Sequence, residues 1–122
     1  MKSKTLISKQ ERRKTSEDLV ETIRDAKKHK NWLYVAGVLA GSRNNWKSLN
    51  LEQINKEIKE GEGVIVLGKV LSQGNLTKKA KIIAFGFSEN ARDKLKNSGC
   101  EAIKIKDEIK KNPDAKGLRI LK

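Results

Sequence analysis

Apolar positions recur along this chain with two different periods, and the change of period divides it. Leu19, Ile23 and Ala26, with Val20 alongside, recur every three to four residues, which predicts a helix with one buried stripe. Thr15 can cap it and Asp18 stands at its positive end, while Lys27-Lys28-His29-Lys30 forms a basic last turn. Trp32 to Ala40 is apolar nearly all round apart from its glycine, the pattern of a central buried helix. Gly41 closes it, and Ser42 to Ser48 is a polar loop. Asn50 then caps a third helix, with Gln53 at the capping-box position and Leu49 able to staple against Ile54. Leu51, Ile54 and Ile58 form its stripe, and Gly61 or Gly63 ends it.

From there short, continuous apolar runs take over. Val64 to Leu67 and Ile82 to Phe87 predict strands, and Ser88 caps a helix over Glu89 to Asn97 that Gly99 terminates. Ala102 to Ile105 predicts a strand, Asp107 to Lys111 a short helix stopped by Asn112-Pro113, and Gly117 to Leu121 a last strand. A helical N-terminal half followed by β, β, α, β, α, β predicts one compact α/β domain over residues 15–122. Residues 1–14 lack apolar periodicity and read as an extended basic arm.

Charge adds a partner to this picture. Lysine and arginine number 28 against 15 acids, a net charge of +13 and a pI near 10.0. Self-repulsion on that scale opposes compactness, which favours a polyanionic partner. Three places carry basic residues with little or no countercharge. The arm carries Lys2, Lys4, Lys9, Arg12, Arg13 and Lys14 against Glu11 alone. The polar loop carries Arg43, Asn44, Trp46 and Lys47 with no acid. Between Gly63 and Phe87 stand Lys69, Lys78, Lys79 and Lys81, again with no acid, in a stretch held between two strands. Fixed ammonium groups beside Gly74, Ser72, Gln73 and Asn75 suit phosphate oxygens. Lys28 and Lys30 add a smaller basic turn.

Folded RNA is read largely by shape and backbone, so the lysines would act as point charges, while Arg12, Arg13 and Arg43 could also bind bidentately or stack. An arm of about 14 extended residues reaches roughly 45 Å. About eight neutralised phosphates would give a log–log salt slope of roughly −6 to −7. Competing readings are a solvated turn for the lysine stretch and a solubility tail for the arm. Trp32 reads as core, and Trp46 either stacks on a base or covers the domain edge.

Other chemistry finds little support. His29 and Cys100 are single residues and make no zinc-ligand pattern, and no metal or cofactor is expected. Cys100 reads as a small buried residue, and one cysteine fits a reducing cytoplasm. Glu17-Asp18 and Asp107-Glu108 stand near helix starts, where acids favour the dipole, and no nucleophile elbow is present. Gly61, Gly63 and Gly68 lack the ending of a phosphate-binding P-loop. No apolar run approaches the roughly 20 residues of a membrane span, and the N-terminus lacks a signal-peptide core.

An ordered series of motifs carries a family resemblance. It comprises Gly68-Lys69-Val70-Leu71, Gly74-Asn75-Leu76-Thr77-Lys78-Lys79, Ala84-Phe85-Gly86-Phe87-Ser88-Glu89-Asn90-Ala91, and Gly99 with Ala102-Ile103. Trp32, Ala36, Arg43, Asn50-Leu51 and Ile54-Asn55 extend it upstream, and Asn112-Pro113 and Gly117 to Leu121 downstream. The chain resembles archaeal and eukaryotic large-subunit ribosomal protein eighteen, a relative of bacterial large-subunit ribosomal protein fifteen. The departures are Ser72 and Cys100, where relatives often carry glycine.

The resemblance implies an α/β fold with irregular β-β-α turns. It also implies a non-enzymatic structural constituent of the large ribosomal subunit, located in the cytoplasm. The implied partners are large-subunit rRNA and neighbouring ribosomal proteins, with no small-molecule substrate. The alternatives are an RNA-binding regulator or RNA chaperone acting off the ribosome, and an adaptor for an acidic protein.

Overall fold

A computed structural model describes residues 6–7, 17–41 and 46–121. Contacts group the chain into two compact units, one of residues 1–46 with 106–116 and the other of 47–105 with 117–122. Of the stretch expected to be an extended arm, only Leu6 and Ile7 are described. Both are helical, and Ile7 is completely buried. The Thr15 cap lies outside the described residues.

In the first unit, α1 (Glu17–Lys27) buries Leu19, Ile23 and Ala26 of the expected stripe, with Thr22 added and Val20 half-buried, and packs on α2 (Leu33–Ala40). The apolar helix expected from Trp32 begins with a 3-10 turn, Lys30–Trp32, before the α-helix proper. Trp32 is fully buried, and its indole N–H donates to the Asn112 carbonyl at 2.9 Å. Burial of a ring this large requires such a partner for its one polar atom.

The second unit is an all-parallel sheet. Its strands are β1 (Leu49–Asn50), β2 (Gly63–Leu71), β3 (Lys81–Phe87), β4 (Glu101–Lys104) and β5 (Leu118–Leu121). The order is β1-β2-β3-β4. β3 takes one edge of β2, so β1 and β5 divide the other, with β5 beside Gly63 to Val66 and β1 beside Val70 and Leu71. β1 was not anticipated, and β2 runs four residues past its expected end at Leu67. Local contacts explain the extension. The Lys47 N–H donates to the Leu67 carbonyl at 2.7 Å, and one extra residue enters β2 between Val66 and Lys69 as a bulge. Gly68 is required there, because a Cβ would stand 2.4 Å from the Lys47 carbonyl oxygen.

Helices α3 (Leu51–Glu57) and α4 (Glu89–Asn97) cover one face of the sheet. Leu51, Ile54 and Ile58 meet Val64, Val66, Val70, Ile82 and Ala84 there, together with Ala91 and Leu95. The capping box is present, with Gln53 Oε1 accepting from the Asn50 N–H at 2.8 Å. Ser88 Oγ accepts from the Ala91 N–H at 3.2 Å and starts α4 at its expected residue. α3 stops at Glu57, earlier than its glycines suggested, because Ile58 is already extended. α5 (Ile105–Lys111) ends at Asn112-Pro113 as expected.

Candidate nucleic-acid interface

Parallel pairing of β2 with β3 dictates the shape of the lysine segment. Lys81 lies beside Gly63, so the chain leaving Leu71 must travel back along the whole of β2, roughly 26 Å at strand rise. Ten peptide steps reach at most about 35 Å, whereas ten helical residues would cover only about 15 Å. Residues 72–80 are therefore an extended strap in place of the helix that usually joins parallel strands.

The strap is bound along its length. Leu76 and Ala80 enter the core, which for a leucine is worth about 1.5–3 kcal/mol. The Glu52 N–H donates to the Gln73 carbonyl at 3.1 Å, and Asn55 Oδ1 accepts from the Thr77 N–H at 3.1 Å. The Gly61 N–H donates to the Lys79 carbonyl at 2.7 Å, and the Cys100 thiol donates to the Lys78 carbonyl at 3.3 Å. Gly74 sits at φ +86°, and a Cβ there would strike Glu52 at 2.5 Å.

Two lysines complete this fastening. The Lys78 ammonium donates to the carbonyls of Asn55 and Ile58 at 2.9 and 2.8 Å, groups at the C-terminal end of α3. The Lys94 ammonium, on α4, donates to the carbonyls of Ser72 and Gly74 at 2.8 and 3.0 Å. Lys78 was expected to face phosphate, yet two of its three donors are used inside the protein. Lys94 was missed, since nothing local in the sequence links an α4 lysine to carbonyls 20 residues away.

The remaining expected residues fall into separate groups. Lys69 is an exposed position within β2 rather than part of a loop. Lys47 is exposed and its backbone joins β2 next to Leu67, so these two lysines come together. Lys79 is exposed and Lys81 half-buried at the opposite end of the sheet, about 20 Å from Lys69 along the strand. The Lys79 backbone N–H donates to the Glu60 carboxylate at 3.4 Å, which sets an acid beside the strap. Near it Arg119 donates to Glu62, and that hydrogen bond holds the Glu62 carboxyl below the ordinary glutamate range, with the Lys59 N–H adding to it against partial burial.

Lys28 and Lys30 are exposed in the first unit. Trp46 is half-buried, and its indole N–H donates to the Val38 carbonyl at 3.0 Å. Lys4, Lys9, Arg12, Arg13, Lys14, Arg43 and Asn44 lie outside the described residues. Among the described residues no group of three or more histidine, cysteine or acidic side chains could hold a metal, and no helix is long and apolar enough to cross a membrane.

The family model described as ribosomal proteins 50S-L15 and 50S-L18e, together with a 60S counterpart, matches residues 38–103. The large ribosomal subunit protein eL18 of Methanothermobacter thermautotrophicus is 33% identical over 114 residues, covering 88% of this chain and 94% of that protein. The protein of the same name from Thermoplasma acidophilum is 38% identical over 93 residues, covering 76% and 78%. That of Archaeoglobus fulgidus is 39% identical over 90 residues, covering 74% and 77%.

Proposed function

From the premise that this chain belongs to the family of ribosomal proteins 50S-L15 and 50S-L18e, we propose that it binds large-subunit rRNA through backbone phosphates. It serves there as a structural constituent of the large ribosomal subunit rather than as an enzyme, placed in the cytoplasmic ribosome beside other ribosomal proteins. The observation that carries the reading is the set of relatives, each named a large ribosomal subunit protein and matched over three quarters or more of its own length.

The charge and its mounting support the RNA contact. A net charge of +13 favours a polyanionic partner, and Lys47, Lys69 and Lys79 stand exposed on hydrogen-bonded backbone. Positions fixed in this way suit the spacing of phosphates in folded RNA, where affinity comes from many weak charge contacts. The arm and the Arg43–Lys47 loop would extend the footprint.

Sedimentation tests it. The protein is expected to stay with large subunits through a high-salt wash and to need a dissociating wash for release. A wholly soluble pool after mild washing overturns the ribosomal role. It would favour the off-ribosome RNA-binding reading if the free protein still bound RNA in an ionic-strength-dependent way.

A further inference from the structure

The first unit carries a cationic corner assembled from two segments far apart in sequence. The Asn31 side-chain amide donates to the Asp114 carbonyl at 2.8 Å, and the Trp32 indole donates to the Asn112 carbonyl at 2.9 Å. These bonds bring the basic turn at Lys28 and Lys30 beside the end of α5 and the turn that follows it. Lys110, Lys111 and Lys116 stand there, all exposed like Lys28 and Lys30. Among the described residues none of these five ammonium groups lies within salt-bridge distance of a carboxylate, although the charge of Lys110 helps to lower the Glu21 pKa. The acids nearby in sequence are Asp25, Asp107, Glu108 and Asp114.

Lysines at a helix C-terminus ordinarily serve the helix itself by meeting its last carbonyls and the negative end of its dipole. The sheet unit shows that use in Lys78 and Lys94. The corner differs, because neutral donors already occupy its carbonyls: the Trp32 indole on Asn112 and the Asn31 amide on Asp114. The Asn112 side chain also braces the turn twice, donating to the Lys116 carbonyl at 3.0 Å and accepting from the Lys116 N–H at 3.1 Å. Ala115 is held at φ +54°, a conformation a non-glycine residue keeps only when its surroundings impose it. The backbone is braced without the ammonium groups, and these are left facing solvent.

We propose that Lys28, Lys30, Lys111 and Lys116 form a second phosphate-binding surface, distinct from the strap and the β2 bulge, that seats RNA backbone on the first unit. Lys110 stands at its margin. The proposal rests on the rRNA reading above and joins to the basic turn at Lys28 and Lys30 two lysines that local charge did not link to it. RNA is favoured over an acidic protein because the corner offers several lysine point charges with no apolar centre. A protein partner would need one, as interface cores are depleted in charge.

The test is a salt titration of binding to purified large-subunit rRNA with three full-length proteins. They are the wild type, a corner variant carrying Lys28→Gln, Lys30→Gln, Lys111→Gln and Lys116→Gln, and a charge-matched control carrying Lys56→Gln, Lys59→Gln, Lys96→Gln and Lys104→Gln. All eight positions are exposed, and circular dichroism checks that each variant is folded. The corner variant is expected to lose about 3 from the magnitude of the log–log salt slope, at roughly 0.7–0.9 per phosphate contact, and to bind on the order of a hundredfold to a thousandfold more weakly at 0.1 M salt. The control is expected to lose less than one unit of slope.

A steep wild-type slope that the corner variant retains overturns the corner alone, and equal losses in both variants reduce it to part of a diffuse field. A wild type without salt-dependent RNA binding removes the rRNA reading itself. Competition by poly-glutamate as effective as RNA at equal charge concentration replaces RNA with an acidic protein.

Discussion

Replacing Lys78 with methionine separates a structural lysine from an RNA-binding one. Methionine keeps most of the aliphatic stem and removes the ammonium. The change therefore deletes two charge-assisted hydrogen bonds, at 2.9 Å to the Asn55 carbonyl and 2.8 Å to that of Ile58, with little loss of packing. Bonds of this kind are worth about 1.5–3 kcal/mol each when their loss strands a buried group. Lys78 is half-buried, so water can reach the freed carbonyls, and the expected cost for the pair falls to about 1–2 kcal/mol. For a protein of this size that lowers Tm by roughly 4–8 °C. Thermal unfolding followed by circular dichroism measures it. Binding to rRNA, measured well below Tm across a range of salt, supplies the second readout. The slope is expected to stay at its wild-type value, because no phosphate contact has been removed. An unchanged Tm with a slope shallower by roughly 0.7–0.9 would refute the reasoning and place the ammonium on RNA.

Gly68→Ala should destabilise by about 1–3 kcal/mol, since the new methyl meets the Lys47 backbone at 2.4 Å and the bulge must shift to admit it; urea unfolding measures this, and a neutral result would show the bulge to be soft. Ser88→Ala removes the oxygen that accepts the Ala91 N–H and should cost about 1 kcal/mol in the same assay, whereas Ser88→Asp should recover most of it. Glu62→Gln tests the Arg119 pair through pH. Because the Arg119 hydrogen bond lowers the folded-state Glu62 pKa, its stabilising effect is fully present above the ordinary glutamate value and fades as the pH falls through the lower folded one. The Tm gap between wild type and variant should therefore be widest near neutrality and close in acid, and a gap independent of pH would count against the pair.

Much of the architecture was legible wherever the signal was local. The Asn50–Gln53 capping box, the Ser88 cap and the Asn112-Pro113 stop each depend on residues within one helical turn, and each appears where expected. β1 was not legible, because two residues become a strand only through their register with Val70 and Leu71. The strap looked like an ordinary loop because its extended form follows from parallel pairing, a relation between Gly63 and Lys81 that local sequence does not encode.

The candidate site was legible as charge but not as geometry. Lys69 and Lys79 were expected in one patch and lie at opposite ends of the sheet, while Lys47 joins Lys69 through a backbone contact spanning 20 residues. Lys78 and Lys94 turn inward because suitably placed carbonyls happen to lie within reach, and no charge count distinguishes such a lysine from one facing solvent.

The order in which these parts are made has a consequence for biogenesis. Each compact unit is discontinuous, and each draws its closing piece from beyond residue 105. A nascent chain that has emerged only as far as Ile105 holds β2 with half of one edge open, since its partner over Gly63 to Val66 is β5. At the same moment the Trp32 indole lacks its acceptor on Asn112. Neither unit can therefore lock until residues beyond Ile105 have emerged, and both become able to close within the same short interval between Lys106 and Leu121. A ribosome stalled within that interval would carry two unfinished bodies with apolar strand edges exposed to aggregation or proteolysis. Closure of both units is thus coupled to emergence of the chain beyond Ile105.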